Sequence, residues 1–283
     1  MRWATVAAVL MTAGIGYVIL VQYFHASEPP VEQQFGATDP GKASVEIYVE
    51  PVGIDALNKS MQVRLSVPTS RAPRGEQVAP DRDRVLLITY DKMVQELKIS
   101  ANEPVPTVTI ALDLNGGSVA DYPLDTYRAD LRLLCLSRGP SSSGEAKSLP
   151  VAVTVWEAVL GYHLHASQPP SGNPDEVRLV FDFHRSGGFS LFALAAYGAM
   201  AVLGCCALAI GVLTFAGVRR PDPPLTGALG AIVFALPALR NGLPGAPPLG
   251  VRLDMFVFLW TELAAVIALG LLVTTWARSG PRP

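Results

Sequence analysis

Four apolar stretches, residues 3–24, 189–218, 225–239 and 255–276, decide what this chain can become. Three of them reach the roughly 20 residues that a helix needs to cross a bilayer. One lies near the start and three follow a stretch of about 160 residues that is far less apolar. The expected fold class is an α+β membrane protein, with four transmembrane helices and one external domain. Composition agrees: half of the 283 residues are hydrophobic and 16% are charged, against roughly 25% charged in soluble domains. The domain plan is residues 1–24 as an N-terminal anchor, 25–187 as the external domain, and 188–283 as a three-helix module with an external loop at 240–254.

The third stretch is the awkward one. At 15 residues it covers only ~22 Å, short of a ~30 Å hydrocarbon core. It either continues past Arg240 with that side chain snorkelling to the interface, or tilts and thins the bilayer, or re-enters on the same side. A spanning helix kinked at Pro237 is expected.

Charge sets the orientation. No small-x-small cleavage site follows the first stretch, since Gln22, Tyr23, Phe24 and His25 occupy the junction, and it reads as an uncleaved signal anchor. With four spans, Arg2, Arg219, Arg220, Arg278 and Arg282 share one side, which the positive-inside rule makes cytoplasmic. The chain is then a multi-pass plasma-membrane protein with both termini cytoplasmic, and residues 25–187 and the 240–254 loop are outside. Two arginines in a short external loop run against that bias, so they are expected to act there or to touch lipid head groups.

Between Glu28 and Arg185 there are 15 Lys and Arg against 21 Asp and Glu, a net of −6 that excludes a basic surface for nucleic acid. Alternating apolar and polar residues at 45–49, 61–67, 108–112, 129–136, 151–162 and 177–183 predict antiparallel strands. The runs 85–90 and 93–99 add two more. Seven to nine such strands point to an immunoglobulin-like antiparallel β-sandwich, with loops at 68–84, 137–150 and 166–175. Asn58-Lys59-Ser60 is a glycosylation sequon, relevant only in a eukaryotic secretory setting. Cys135 stands alone in this domain and is expected to be buried, while Cys205 and Cys206 read as small packing residues in the second span. Ala195, Ala199, Gly204 and Gly211 mark that span for close helix packing.

Charges near lipid cost several kcal/mol unless they pair or meet water, which singles out the loop from Leu236 to Asp254. Its candidate residues are Arg240, Asn241, Pro244, Gly245, Pro247, Pro248, Arg252 and Asp254, with Trp260 and Glu262 further along. Glu262 lies ~12 Å past Asp254 along a helix, inside hydrocarbon, where Arg240 or Arg252 could compensate it. It either glues helices together or forms a polar site for a proton, an ion or a lipid head group. In the external domain, Tyr122, Pro123, Asp125 and Tyr127 form a compact turn before a strand. It reads as a structural corner, or as a contact facing the membrane or a partner. His163 and His165 share one face of a strand, but a hairpin to 177–183 is expected to hold His184 well away. The two therefore read as a surface pair, with no metal and no cofactor. Nucleophile elbows and phosphate-binding glycine loops are absent, so the chain is expected not to be an enzyme.

With Tyr122, Pro123 and Asp125 in the turn, and Arg240, Pro244, Gly245, Pro247 and Pro248 in the loop, the chain resembles the domain-of-unknown-function 4436 family. That resemblance implies an actinobacterial, mycobacterial-type multi-pass membrane protein and supplies no reaction. The expected role is a non-enzymatic binding or accessory component of the cell envelope or of a membrane complex, in contact with membrane lipids and with membrane-protein partners or a second copy. The alternative is a transporter or channel subunit with a polar site at Glu262 and Arg240.

Overall fold

The computed structural model describes residues 31–37, 45–67, 70–71, 77–78, 83–100, 105–137, 147–157 and 159–278, with helical positions at 4, 11, 14–19 and 22. Most of the expected first span, residues 3–24, and much of the 68–84 and 137–150 loops lie outside the described residues. Two compact units emerge: a β-rich unit of residues 27–118 and 126–186, and a helical unit that combines residues 1–26 and 187–283 with the short segment 119–125.

The strands are β1 (Val31–Gly36), β2 (Val45–Asp55), β3 (Ser60–Ser66), β4 (Ser70–Arg71), β5 (Gln77–Val78), β6 (Arg84–Tyr90), β7 (Met93–Ile99), β8 (Val108–Asp113), β9 (Thr126–Ser137), β10 (Lys147–Leu149), β11 (Val151–Glu157), β12 (Tyr162–Ser167) and β13 (Val177–Arg185). One sheet runs β1-β11-β2-β3-β8 and another β12-β13-β9-β6-β7, with β10 also on β9. Period-2 patterning explains the burial. In β2, Val45, Ile47 and Val49 point in while Glu46, Tyr48 and Glu50 point out. In β9, Tyr127, Ala129, Leu131, Leu133 and Cys135 are buried between outward Arg128, Asp130 and Arg132. These side chains, with those of β3, β6 and β13, form one continuous core drawn from both sheets.

Three features depart from the sequence expectation. β2 and β11 pair in parallel, which is open to strands about 100 residues apart because no tight hairpin joins them. The expected strand at 151–162 is two, β11 and β12, separated by a turn with Gly161 at φ 81°. β12 and β13 then pair so that His163 faces His184 directly, correcting the expectation that His184 stands apart. Cys135 is fully buried as read, and burial pushes its thiol up to about 11. At neutral pH it is therefore expected to resist maleimide in the folded protein and to react within minutes once denaturant is added, as mass spectrometry of labelled peptides would record.

In the helical unit the described helices are α1 (Gly187–Phe215), α2 (Pro223–Asn241) and α3 (Leu259–Arg278), the last continuing a π-helical turn over Asp254–Phe258. All three are long and apolar enough to cross a membrane, α3 together with its π turn. The short third stretch is lengthened at both ends: Asp222 with Pro223 and Pro224 opens the helix, as proline at the first positions favours, and Arg240 extends it beyond Leu239.

α1 packs chiefly on α3. Its buried residues, Ala193, Tyr197, Met200, Gly204, Ala207, Gly211 and Thr214, alternate steps of four and three, the spacing of a knobs-into-holes seam. Ala195 and Ala199 lie off that seam and are exposed, so only the glycines of the expected small-residue set are at the contact. Cys205 and Cys206 are exposed too. They stand one and two positions round from Gly204, about 100° per residue, and so they do not pack between helices.

Candidate functional site

Arg240 sits in the last turn of α2, where a cation is favoured by the exposed carbonyls of the helix end. Its guanidinium is buried, with 5% side-chain exposure. Nε and Nη2 donate to the Asp254 carboxylate, Nη2 at 2.6 Å, while Nη1 and Nη2 also donate to the carbonyls of Pro247 and Pro248 at 2.9 and 2.7 Å. Those two prolines have fixed φ and no N–H. They therefore present carbonyls in set directions and add no buried donor that needs a partner.

Asp254 is equally enclosed and accepts two further bonds, from Tyr197 Oη at 2.7 Å and from the Gly250 amide at 3.0 Å. Gly250 has φ 97°, a backbone conformation that glycine adopts without strain, and this turns its N–H back onto the carboxylate. A buried ion pair is stable only when both charges are matched and their remaining sites are hydrogen-bonded. That condition is met, and the network ties α1, α2, the loop and the start of α3 to one point.

The segment 119–125 belongs to this same unit. A 3-10 turn over Val119–Asp121 leads to Tyr122, which is 1% exposed and is joined to Pro123 by a cis peptide bond. The Tyr122 ring meets Phe189 edge-on at 6.2 Å, and its hydroxyl donates to the Pro244 carbonyl at 2.9 Å. Ser190 Oγ donates to the Pro123 carbonyl at 2.9 Å, and Arg252 pairs with Asp121 at 2.5 Å. The result is a clasp: one segment is held by the start of α1 and by the α2–α3 loop.

Of the residues singled out in the sequence, Tyr122, Pro123, Arg240, Pro244, Pro247, Pro248, Arg252 and Asp254 take part in these bonds. Asp125 is buried beside them, 1% exposed. Tyr127 does not join: it lies in β9 and fills the β core. Asn241 and Gly245 are exposed, Gly245 supplying a positive φ of 71° to the loop. Arg240 is bonded to Asp254 and two carbonyls, whereas Glu262 Oε2 has no hydrogen-bond partner among the described residues. Trp260 is 64% exposed. The sequence reading missed Tyr197, Asp121, Phe189 and Ser190. Tyr197 carried a signal, since it is the only hydroxylated aromatic in α1 and stands seven residues before Gly204.

Residues 185–279 match the family described as Domain of unknown function (DUF8686). No curated protein matches. Residues 34–181, more than half of the 283-residue chain, match the family described as Domain of unknown function (DUF4436), and the chain belongs to that DUF4436 family.

Proposed function

We propose that the chain is a non-enzymatic component of the plasma membrane, a binding or accessory subunit of the cell envelope or of a membrane complex. In this reading residues 119–125 and the 240–254 loop couple the external domain to the helices. One observation carries it: Tyr122 donates to Pro244 across 122 positions of sequence, while its segment is flanked in the chain by β8 and β9. Displacement of either strand end is then passed through covalent chain to a segment already fixed on the helices. The mostly antiparallel sheets with a common core support an immunoglobulin-like sandwich as the finer class. The arginine distribution supports four spans, cytoplasmic termini and an external position for residues 25–187. Membrane lipids are the first partners, with neighbouring membrane proteins or a second copy next.

The test is a paired cysteine variant, Asp121→Cys with Arg252→Cys, in a background where Cys205 and Cys206 are serine. In native membranes we expect a disulfide that shifts mobility on non-reducing gels, and, after reduction, blocking of both thiols by a membrane-impermeant maleimide added outside intact cells. Failure to cross-link removes the coupling idea, and labelling only after permeabilisation reverses the topology.

A second reading, a transporter or channel subunit, draws on Glu262, whose Oε2 lacks a bonding partner among the described residues. Intramembrane acids of that kind mark ion and proton paths. Reconstituted protein should then pass ions or protons into liposomes, with flux lost on Glu262→Gln. Absence of flux in wild type discards this reading.

A further inference from the structure

The β12–β13 register brings together side chains that the clasp does not use. His163 and His184 are direct cross-strand partners, and neither contributes to the β core. Their rings lie 5.3 Å apart between centres, at 29° between planes. We propose that His163 and His184 chelate a transition-metal ion of the Zn2+, Cu2+ or Ni2+ type on the outer face of this sheet.

Three observations support the site. The first is distance: two imidazoles on one tetrahedral ion, each at a metal–nitrogen distance of ~2.0–2.1 Å, place ring centres about 5 Å apart. Small rotations of the two rings therefore bring a nitrogen of each onto one ion, and imidazole is a preferred ligand of these metals. The second is rigidity. β12 is hydrogen-bonded to β13, which is hydrogen-bonded to β9, so the two Cβ positions are fixed before metal arrives and little order is lost on binding.

The third is charge and access. On the same face of β13, Asp182 is paired with Arg128 at 2.7 Å, which compensates the nearest side-chain cation of β9. No group of three or more His, Cys, Asp or Glu is placed to hold a metal among the described residues. The remaining coordination positions therefore fall to water or an external ligand. His184 also lines an open cleft of about 650 Å³ bounded by Asn115, Gly117, Tyr127, Arg128 and Asp182, which gives that ligand room.

The experiment uses the full-length protein in detergent, purified through a tag without histidines. Calorimetric titration with Zn2+ at neutral pH should give saturable binding of one equivalent. His163→Ala and His184→Ala should each abolish it, while His165→Ala retains it. Both rings lie outside the core, so the metal-free thermal midpoints of the variants should match wild type. An independent reading on wild type is the electron paramagnetic resonance spectrum of bound Cu2+, expected to carry hyperfine structure from two imidazole nitrogens. Binding that survives His184→Ala, binding lost equally in His165→Ala, a Cu2+ spectrum without nitrogen couplings, or no saturation in wild type would each overturn the site.

Discussion

Replacing Arg240 by alanine is expected to destabilise the helical unit by about 3–5 kcal/mol, the cost of leaving a buried charge without its partner. Asp254 would keep Tyr197 and the Gly250 amide, two donors without positive charge, and the Pro247 and Pro248 carbonyls would lose their guanidinium. Both partners of the pair are only 5% exposed, so water cannot take over without opening the loop. The measurement is thermal unfolding of purified protein in detergent, together with the amount of protein recovered from membranes. Arg240→Lys should recover only part of the loss, because an ammonium cannot reproduce the planar fork that reaches one carboxylate and two carbonyls. The informative variant is the double change Arg240→Met with Asp254→Leu. Removing both charges together removes the desolvation penalty as well, so this pair is expected to be more stable than either single variant. A double variant as unstable as Arg240→Ala would mean that the carbonyl bonds, and not charge matching, hold the loop.

Gly211→Val is expected to have the second largest effect, at or above the upper end of the ~1–3 kcal/mol typical of overpacking. A Cβ at Gly211 would come within 2.6 Å of the Ala268 Cα, and one at Gly204 would lie 2.8 Å from the Thr261 Cβ. The first neighbour is backbone and cannot swing aside, so α1 and α3 must separate along the seam. Gly198 is the internal control, since nothing lies within 4 Å of a Cβ there. Gly198→Ala should leave the thermal midpoint unchanged or raise it slightly, because alanine is the better helix former by about 1 kcal/mol. A Gly211→Val protein that melts with the wild type would mean that the seam does not form in the membrane.

The sequence made some parts of this arrangement legible and hid others for definable reasons. Strands such as β2 and β9 were readable because one face is buried and alternation follows directly. The parallel partnership of β2 with β11 was not, since pairing between strands so far apart leaves no mark at either. Arg240 and Asp254 stood out because charges in an apolar setting need explanation, but which acid Arg240 would meet was a three-dimensional question. Asp254 lies 14 residues on, across a loop that Pro247, Pro248 and Gly250 fold back on itself, and Glu262 lies two helical turns further. Tyr127 shows the reverse case. Its nearness to Tyr122 in sequence placed it in the same turn, yet the chain enters β9 at Thr126 and the alternation of that strand turns the ring into the β core.

The seam between α1 and α3 has a constant offset. Tyr197 meets Asp254 through a hydrogen bond, Gly204 abuts Thr261, and Gly211 abuts Ala268, each pair separated by 57 positions. The two helices therefore run in parallel and can mate again only after sliding by a whole heptad, ~10 Å at ~1.5 Å per residue. Such a slide would bring Gly204 opposite Asp254 and Gly211 opposite Thr261, small residues still facing acceptable neighbours. It would also carry Tyr197 away from the carboxylate and leave that buried charge one donor short. The glycines allow a ladder of evenly spaced registers, and the hydroxyl of one tyrosine selects a single rung.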